Sequence, residues 1–345
     1  MIYTLRWFGP QDPVTLPKLR QVPGLDGVVT ALSDVPAGVA WSAEQVAEHA
    51  DLLAAHGLRW TVVESIPVSE EIKTAGPLRD AHVEAWAQSL EAVAAAGVKT
   101  VCYNFMPVFD WLRTDFAMPL EDGSNAMSYD EADLARFDLS RGMERFAAWS
   151  SGYDGDQLRA AFARYEAIDE QRLREHLAAF LEDVVPVAER LGVRLAIHPD
   201  DPPWSIFGLP RIVKDAADLR FVVNAVDSVA NGLTLCTGAL GAQPANDLIG
   251  ISDEFAERVA FVHARNVKHG GERVFHEVAH HPSAGDVDLP WVLLTLLELG
   301  VNVPLRPDHG RMLWGEEAIP GYGLFDRAIG LAYLQGIERG FTGAT

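Results

Sequence analysis

The chain has few positively charged residues for its length. Its 345 residues include 28 Lys and Arg against 49 Asp and Glu, which gives a net charge of −21. A nucleic-acid backbone is bound by many Lys and Arg side chains on one face. We therefore expect no nucleic-acid partner. A small anionic substrate fits this composition, because a pocket needs only a few local arginines.

Cysteines and long apolar runs are also scarce. The chain contains two cysteines, Cys102 and Cys236, which imply no disulfide framework and are typical of a protein from a reducing compartment. No apolar run approaches the roughly 18 residues that a membrane span needs. The first seven residues lack the basic stretch and apolar run of a signal peptide. We expect a cytoplasmic protein with no membrane partner.

The main sequence pattern is a short β-branched apolar run followed by an amphipathic helix, which is typical of βα units. Eight such runs occur, at residues 5–8, 28–32, 61–64, 100–105, 194–198, 233–236, 259–263 and 303–306. We interpret a ninth run, 221–226, as helix, because it continues the polar stretch 214–218 without a turn signal. Since eight parallel strands close a barrel, the predicted fold is an α/β protein, a (β/α)8 TIM barrel with residues 1–345 in a single domain.

The helix after the second predicted strand has a clear start signal. Ser42 with Gln45 three residues later matches a capping box, in which side chains satisfy the free amides of the first turn. Val46, Ala50 and Leu53 then fall on one face of the helix. The sequence therefore predicts that this helix begins at Ser42 and packs this apolar face on the barrel.

One segment departs from the regular alternation of strands and helices. Residues 106–170, between the fourth and fifth predicted strands, are polar and aromatic. Their aromatic residues include Trp111, Trp149, Tyr153 and Tyr165. A barrel typically needs about 250 residues, so this segment holds most of the excess length. We predict a helical lid inserted there.

Four of the predicted strands end in a residue that can bind a metal ion. These residues are His198, Cys236, His263 and Asp308, on the fifth to eighth strands. In a parallel barrel the carboxyl ends of the strands meet at the face that carries the active site. Two imidazoles, a thiolate and a carboxylate suit a first-row transition metal. The shared position predicts a metal centre, although each residue alone would more commonly be structural.

Several charged residues near the same strand ends are candidates for binding an anionic substrate. The arginines that could form a bidentate carboxylate contact are Arg6, Arg113, Arg265 and Arg306. Arg265 and Arg306 flank the candidate metal ligands, which favours their placement in the pocket. Glu64, at the end of the third strand, is expected to bind substrate hydroxyls or a structural arginine.

Two further residues are candidates for proton transfer. Tyr322 lies in a glycine-rich loop after the last strand, where a nearby metal ion or arginine could lower its pKa. His309 can exchange a proton near neutral pH. Its neighbour Asp308 is expected to serve the reaction as well as the metal. The sequence leaves open which of Tyr322 and His309 is the base and which is the acid.

Residues 276–280 match the zinc-peptidase pattern H-E-x-x-H, which places two imidazoles on one face of a helix. The context disfavours a peptidase, because Pro282 and Gly285 follow almost at once and no third ligand follows on an apolar helix. The chain also has no P-loop, no G-x-G-x-x-G after a strand and no G-x-S-x-G elbow. Nucleotide-dependent and serine-hydrolase functions therefore lack their usual sequence support.

Several longer stretches are similar to those of one known family. They are residues 6–10, 62–67, 100–107, 197–203, 231–238, 275–277 and 306–310. Over nearly its whole length the sequence resembles the mannonate dehydratases, the lyases of hexuronate breakdown. The resemblance implies a barrel, a divalent manganese or ferrous ion, and dehydration of D-mannonate to 2-keto-3-deoxy-D-gluconate. The four strand-end residues match the metal ligands of that family.

The H-E-x-x-H stretch lies inside the family pattern, and we expect His276 to contact the substrate. The predicted function is a metal-dependent hydro-lyase that acts on a small sugar acid, and we expect a homo-oligomer. Three alternatives stay open: a dehydratase of another aldonic acid, a metal-dependent sugar isomerase on a similar barrel, and a non-catalytic sugar-acid binding protein. An isomerase has less need of a carboxylate-binding arginine, and a binding protein would show affinity without turnover.

Overall fold

The computed structural model describes residues 1–136 and 155–343. Eight parallel strands form the barrel: β1 (Ile2–Arg6), β2 (Gly27–Thr30), β3 (Trp60–Glu64), β4 (Thr100–Tyr103), β7 (Arg194–Ile197), β8 (Asn231–Cys236), β9 (Val259–His263) and β12 (Pro304–Arg306). They pair in that order, and β12 pairs with β1 to close the sheet. The predicted (β/α)8 barrel is therefore confirmed, and each predicted run overlaps a barrel strand, although β1 begins three residues before the predicted run 5–8.

Four further strands form a small antiparallel sheet in the order β10-β11-β6-β5. They are β5 (Asp115–Pro119), β6 (Asn125–Asp130), β10 (Val267–Gly271) and β11 (Val274–Glu277). The hairpin β5–β6 belongs to the segment 106–170, and the hairpin β10–β11 follows β9. Strand β11 pairs with β6, so the sheet joins two loops that are far apart in the chain.

The described part of the segment 106–170 thus differs from the predicted helical lid, because it begins with a β-hairpin. The turn contains Gly123 at φ +82°, a left-handed conformation that glycine adopts without steric cost. Two helices, α5 (Glu131–Ala135) and α6 (Gly155–Ala163), also lie in this segment. The aromatic residues Trp149 and Tyr153 lie outside the described residues.

The remaining helices lie around the barrel and between the strands. They are α1 (Leu16–Leu19), α2 (Ala43–Ala55), α3 (Glu70–Lys73), α4 (Arg79–Ala95), α7 (Glu170–Leu191), α8 (Ala216–Ala225), α9 (Thr237–Gly241), α10 (Leu248–Glu254), α11 (Leu289–Glu298) and α12 (Leu324–Thr342). Helix α8 contains almost all of the run 221–226, which confirms its interpretation as helix. Within residues 1–136 and 155–343, no helix is both long and apolar enough to cross a membrane.

The barrel interior is filled by a separate apolar cluster. Its members are Val29, Val62, Cys102, Ala196, Ala260 and Phe261, all at most 1% exposed. A larger apolar cluster packs between the outer face of the strands and the helices. The strands are buried on both faces, as expected for a parallel sheet. The interior cluster forms the floor on which the polar strand ends lie.

The start of helix α2 shows how a local sequence signal determines where a helix around this core begins. The Ser42 hydroxyl accepts a hydrogen bond from the Gln45 amide at 3.1 Å, and the Gln45 side chain accepts one from the Ser42 amide at 3.1 Å. The capping box is therefore confirmed. Val46 and Leu53 are buried on the face that packs on the barrel.

Replacing Ser42 by Ala should lower the free energy of unfolding by about 1 kcal/mol, because one first-turn amide loses its acceptor. Urea unfolding followed by circular dichroism measures the change. Glu48→Ala, on the exposed side of the same helix, is the control and should change stability by less than about 0.5 kcal/mol. Equal stability of the Ser42→Ala and wild-type proteins would contradict a stabilising cap.

Candidate metal centre and active site

The polar site begins one inward-facing position beyond the apolar floor of the barrel. Side chains that point inward recur every second residue of a strand. Glu64 therefore follows Val62 of the floor, and His263 follows Phe261. His198 likewise lies two residues beyond Ala196 of the floor. The change from apolar to polar at this level places the side chains at the carboxyl ends of the strands, where barrel active sites lie.

Four of these side chains form what we call the strand-end cluster: His198, Cys236, His263 and Asp308. Ligand atoms of the first three lie within 4.8 Å of one another. The Cys236 Sγ is 3.9 Å from Asp308 Oδ2, and His263 Nδ1 is 4.0 Å from Asp308 Oδ1. The sheet register accounts for the convergence, since Cys236 lies beside His263 on the neighbouring strand. The structure therefore brings the four predicted ligands together.

The protonation of His198 suits a metal ligand. Its Nδ1 lies 2.6 Å from the carbonyl oxygen of Pro199 and must donate, because a carbonyl only accepts. The lone pair is therefore on Nε2, which is 3.1 Å from His263 Nδ1. Metal-binding histidines commonly donate their second nitrogen to a carbonyl in this way. This lone pair, together with an imidazole, a thiol and a carboxylate, fits a first-row divalent ion.

The electrostatic state of the strand-end cluster also favours a cation. Burial lowers the pKa of His198 and lowers that of His263 well below its ordinary value, so both imidazoles are neutral at pH 7. Burial raises the pKa of the Cys236 thiol to about 12, and a coordinated cation would displace that proton. Burial alone would raise the pKa of Asp308, but the Arg306 guanidinium lowers it below its ordinary value.

A second group of ligand-type atoms lies on the other side of His263. It consists of Glu64, Cys102 and His263, again within 4.8 Å of one another. His263 Nε2 is 3.5 Å from Glu64 Oε1 and has no hydrogen-bond partner among the described residues. However, Arg306 Nη2 is 2.9 Å from the same Glu64 oxygen. The same guanidinium also contacts the strand-end cluster, since Arg306 Nη1 is 2.7 Å from Asp308 Oδ1, so it bridges the two groups.

Five buried side chains form a closed circuit of contacts, which we call the ion ring: Arg113, Asp201, Arg265, Glu277 and His309. Arg113 binds Asp201 in a bidentate pair at 2.8 and 3.0 Å, and its Nη2 lies 3.1 Å from Glu277 Oε1. The same Glu277 oxygen is 2.6 Å from His309 Nδ1. Arg265 closes the circuit, at 2.7 Å from His309 Nε2 and 2.7 Å from Asp201 Oδ2.

The ion ring contains two guanidinium groups and two carboxyl groups, so its charges balance when both carboxyl groups are ionised. Burial alone would raise the pKa of Asp201, but Arg113 and Arg265 lower it far below its ordinary value. Burial raises the pKa of Glu277 to about 7, although Arg113 and Arg265 oppose the shift. Arg265 fits here because residue 238 is glycine, where an added Cβ would lie 1.8 Å from Arg265 Nε. The ring and the strand-end cluster meet at Arg265 Nε, which is 3.5 Å from Asp308 Oδ2.

A cavity of about 380 Å³ opens above these groups. The predicted residues that line it are Arg6, Glu64, His198, Arg306, Asp308 and His309. Arg306 is 3% exposed and binds Asp308 through Nη1 at 2.7 Å, while its Nε has no hydrogen-bond partner among the described residues. Tyr322 is buried, with its ring centroid 5.1 Å from that of His309. Burial raises the pKa of Tyr322 well above its ordinary value, so its phenol is protonated at pH 7.

Not every predicted residue reaches the cavity. His276 lies on the face of β11 opposite to Glu277, in register with Lys268 and Ser128 of the small sheet. The H-E-x-x-H stretch is therefore the end of a strand and a loop, and the helix that a zinc peptidase needs does not form there. Arg113 and Arg265 are buried in the ion ring and do not line the cavity wall.

Three residues of the site were missed by sequence reasoning. Asp201 and Glu277 belong to the ion ring, and Trp111 lines the cavity with its ring centroid 5.7 Å from that of His309. Asp201 follows shortly after a predicted strand end, and this position could have marked it as a site residue. Glu277 lay within the H-E-x-x-H match and the stretch 275–277, but neither pointed to its partners, which come from other segments.

The parallel barrel is closed, and its strand ends carry these ligand and ion-pair residues. This is the architecture of a (β/α)8-barrel enzyme. The sequence profile of the D-mannonate dehydratase (UxuA) family matches residues 1–344. The chain belongs to this family, which confirms the resemblance seen in the sequence.

Full-length relatives agree with that assignment. "Mannonate dehydratase 2" from Halalkalibacterium halodurans is 45% identical over 98% of this chain and 98% of its own length. "Mannonate dehydratase" from Streptococcus uberis is 45% identical over 98% of this chain and 97% of its own length. The crystal structure of mannonate dehydratase from Streptococcus suis serotype 2 matches with a TM-score of 0.93 and 41% identity, over 100% of this chain and 95% of that one.

More distant structures share only the fold. A xylose isomerase domain protein from Planctomyces limnophilus is 12% identical, with a TM-score of 0.57 over 99% of both chains. A D-allulose 3-epimerase from Methylomonas is 14% identical, also with a TM-score of 0.57, over 98% of this chain and 96% of that one. These neighbours support the barrel architecture and carry no argument about activity.

The two ligand groups that share His263 can be separated by a matched pair of cysteine replacements. Cys236→Ser should weaken manganese or ferrous-ion binding by about tenfold or more, because even outer-shell changes at metal sites cost that much. Cys102→Ser should keep the wild-type affinity. The measurement is a metal titration of the metal-free proteins, checked by elemental analysis after dialysis. The reverse result would place the cation between Glu64 and Cys102.

Proposed function

We propose that this protein removes water from D-mannonate to give 2-keto-3-deoxy-D-gluconate in hexuronate catabolism, with Mn²⁺ or Fe²⁺ as cofactor. The observation that carries the proposal is the strand-end cluster beside a cavity lined by Arg6 and Arg306. The names of the full-length relatives identify the sugar acid. The strand-end cluster would hold the ion, which would supply Lewis-acid chemistry to the bound substrate.

The cavity suits a carboxylate substrate. Removal of the C2 proton of an aldonate is difficult, because the neighbouring carboxylate is already anionic and more negative charge develops in the transition state. Arg306 presents an Nε donor without a partner among the described residues, and Arg6 lines the same cavity wall. Preorganised cations at this point stabilise the developing charge. We assign Arg6 and Arg306 to the substrate carboxylate, and Arg265 to the support of His309 and Asp308.

The protonation states of His309 and Tyr322 before the reaction determine which side chain can accept a proton and which can donate one. Burial lowers the pKa of His309 well below its ordinary value, so the imidazole is neutral and can accept the C2 proton. The Tyr322 phenol holds its proton and can donate it to the C3 hydroxyl as the C3–O bond breaks. Water leaves, and the enol product takes up a proton at C3 and loses its C2 hydroxyl proton to become the ketone. His309 is therefore the base and Tyr322 the acid.

Three further features belong to this proposal. The segment 106–170 acts as a lid, supported by Trp111, which lies over His309 at the cavity wall. The protein forms a homo-oligomer, supported by a pair of exposed aromatic side chains, Trp314 at 76% and Phe325 at 42% exposure. It acts in the cytoplasm, supported by two buried free cysteines.

The substrate and the metal are tested in one experiment. Metal-free protein is incubated with a panel of aldonic acids, with manganese, ferrous iron or zinc added in turn, and 2-keto acids are measured by carbonyl derivatisation. We expect a 2-keto-3-deoxy acid from D-mannonate with manganese or ferrous iron. Turnover of another epimer alone would identify a different aldonate dehydratase. Aldose–ketose conversion would indicate an isomerase, and affinity without turnover a binding protein.

The role of Tyr322 is tested by replacing it with Phe. Loss of the acid should lower kcat by about 100-fold or more, the usual contribution of general acid catalysis, while the bound metal is unchanged. Tyr3→Phe is the matched control, since the Tyr3 hydroxyl bonds to the Leu334 carbonyl away from the cavity. Full activity of Tyr322→Phe would remove Tyr322 from the mechanism.

A further inference from the structure

Arg327, near the start of α12, carries a buried positive charge without an acidic partner. Its side chain is 0% exposed, and no carboxylate oxygen of the described residues lies within the 4.0 Å of an ion pair. Its Nη2 has no hydrogen-bond partner among those residues. Burial lowers the pKa of Arg327 to about 10, so the guanidinium is still charged at pH 7. A buried charge without a counter-ion is unfavourable for folding, so the groups that it contacts are the best indication of its role.

The Arg327 guanidinium joins the start of α12 to the end of β1. Its Nε donates to the Gly323 carbonyl at 2.9 Å, and its Nη1 donates to the Arg6 carbonyl at 2.8 Å. Gly323 directly follows Tyr322, and Arg6 is the last residue of β1. One side chain therefore holds the backbone beside the proposed acid and at the residue assigned to the substrate carboxylate.

Side chains of the same two segments are also in contact, through two aromatic rings. The Arg6 guanidinium lies over the Phe8 ring, 4.8 Å from its centroid, and the Arg327 guanidinium lies over the Tyr322 ring at 5.6 Å. Both distances are within the roughly 6 Å of a cation–π contact. The Phe8 and Tyr322 rings meet edge to face, with centroids 4.6 Å apart. Arg6, Phe8, Tyr322 and Arg327 thus form a closed circuit, which we call the arginine–aromatic clamp.

The loop before α12 has a further anchor, which does not involve β1. The Glu316 Oε2 accepts a hydrogen bond from the Leu324 amide at 2.7 Å. This contact lies within the segment that follows β12 and fixes the first turn of α12. The bond from Arg327 to the Arg6 carbonyl instead sets the position of the loop against the barrel wall.

We propose that Arg327 is a positioning residue, which fixes Tyr322 relative to Arg6 so that one bound aldonate reaches both. The inference rests on the proposed function, in which Arg6 binds the C1 carboxylate and Tyr322 protonates the C3 hydroxyl. These groups of the substrate are two carbon–carbon bonds apart, so the two side chains must be held at a matching separation. Arg327 does not line the cavity and acts only through its neighbours in the clamp.

The test replaces Arg327 with Met, which keeps an unbranched side chain and removes both hydrogen bonds and the charge. We expect kcat for D-mannonate to fall by about 100-fold, the cost of misplacing a reacting group by about 1 Å. KM should change far less, because Arg6 stays paired in the barrel sheet and still binds the carboxylate. Bound metal should be unchanged. Arg339→Met, at an exposed position on the same helix, is the control and should keep wild-type kcat.

A double-mutant cycle separates positioning from a general structural role. In a Tyr322→Phe background the acid is already absent, so Arg327→Met should change kcat by about twofold at most. An arginine that only stabilises the fold would lower kcat by the same factor in both backgrounds. Circular dichroism checks that each variant is folded at the assay temperature.

Arg327→Lys keeps a buried cation with fewer donors in reach and should recover part of the lost kcat. The same cycle is run with Arg327→Lys if Arg327→Met fails to fold. Wild-type kcat in the Arg327 variants, or an equal loss in both backgrounds, overturns the inference.

The proposed function has a separate outcome in this experiment. If Tyr322→Phe keeps full activity, the assignment of Tyr322 as acid fails whatever the Arg327 variants show. If Tyr322→Phe is impaired and the Arg327 variants keep wild-type kcat, the acid assignment stands and the role of Arg327 is refuted.

Discussion

Arg265 crosses the mouth of the barrel with its guanidinium 2.7 Å from Asp201 and 2.7 Å from His309. Moving an unpaired guanidinium into a protein interior costs several kcal/mol, which good geometry and paired carboxylates must offset. Here Asp201 supplies the charge, Asp308 lies 3.5 Å from Nε, and Gly238 leaves the space that the side chain needs. The same guanidinium thus joins the strand-end cluster to the ion ring. Loss of any one of these charged side chains would leave the charge of a remaining partner buried without compensation.

The barrel and the strand-end cluster could be predicted from sequence because both depend on short-range periodicity. Inward-facing residues recur at every second position, so an apolar residue such as Phe261 marks the floor and His263 marks the level above it. Closure of eight parallel strands then brings those levels together, whatever the chain distance between them. Cys236 and His263 needed no local motif, since the sheet register alone places them side by side.

The ion ring could not be predicted in the same way. Its members come from the segment 106–170, the small sheet and three different strand ends, and no local pattern records their pairing. His276 and Glu277 illustrate the difficulty, because adjacent residues of a strand point to opposite faces. The motif drew attention to the histidine, whereas the pairing of β11 with β6 buries the glutamate beside His309. That pairing joins segments more than a hundred residues apart, which sequence periodicity does not encode.

On the proposed mechanism, one buried environment would prepare the acid and the base together. Burial disfavours the charged form of each group, so it raises the pKa of the Tyr322 phenol and lowers the pKa of the His309 imidazole. The Tyr322 phenol therefore keeps its proton and the His309 imidazole has a lone pair, although the two ring centroids lie only 5.1 Å apart. Each turnover leaves both groups charged, and burial then favours return of the proton from His309 to Tyr322. On this proposal, burial would set both roles and also favour the return of each group to its starting state.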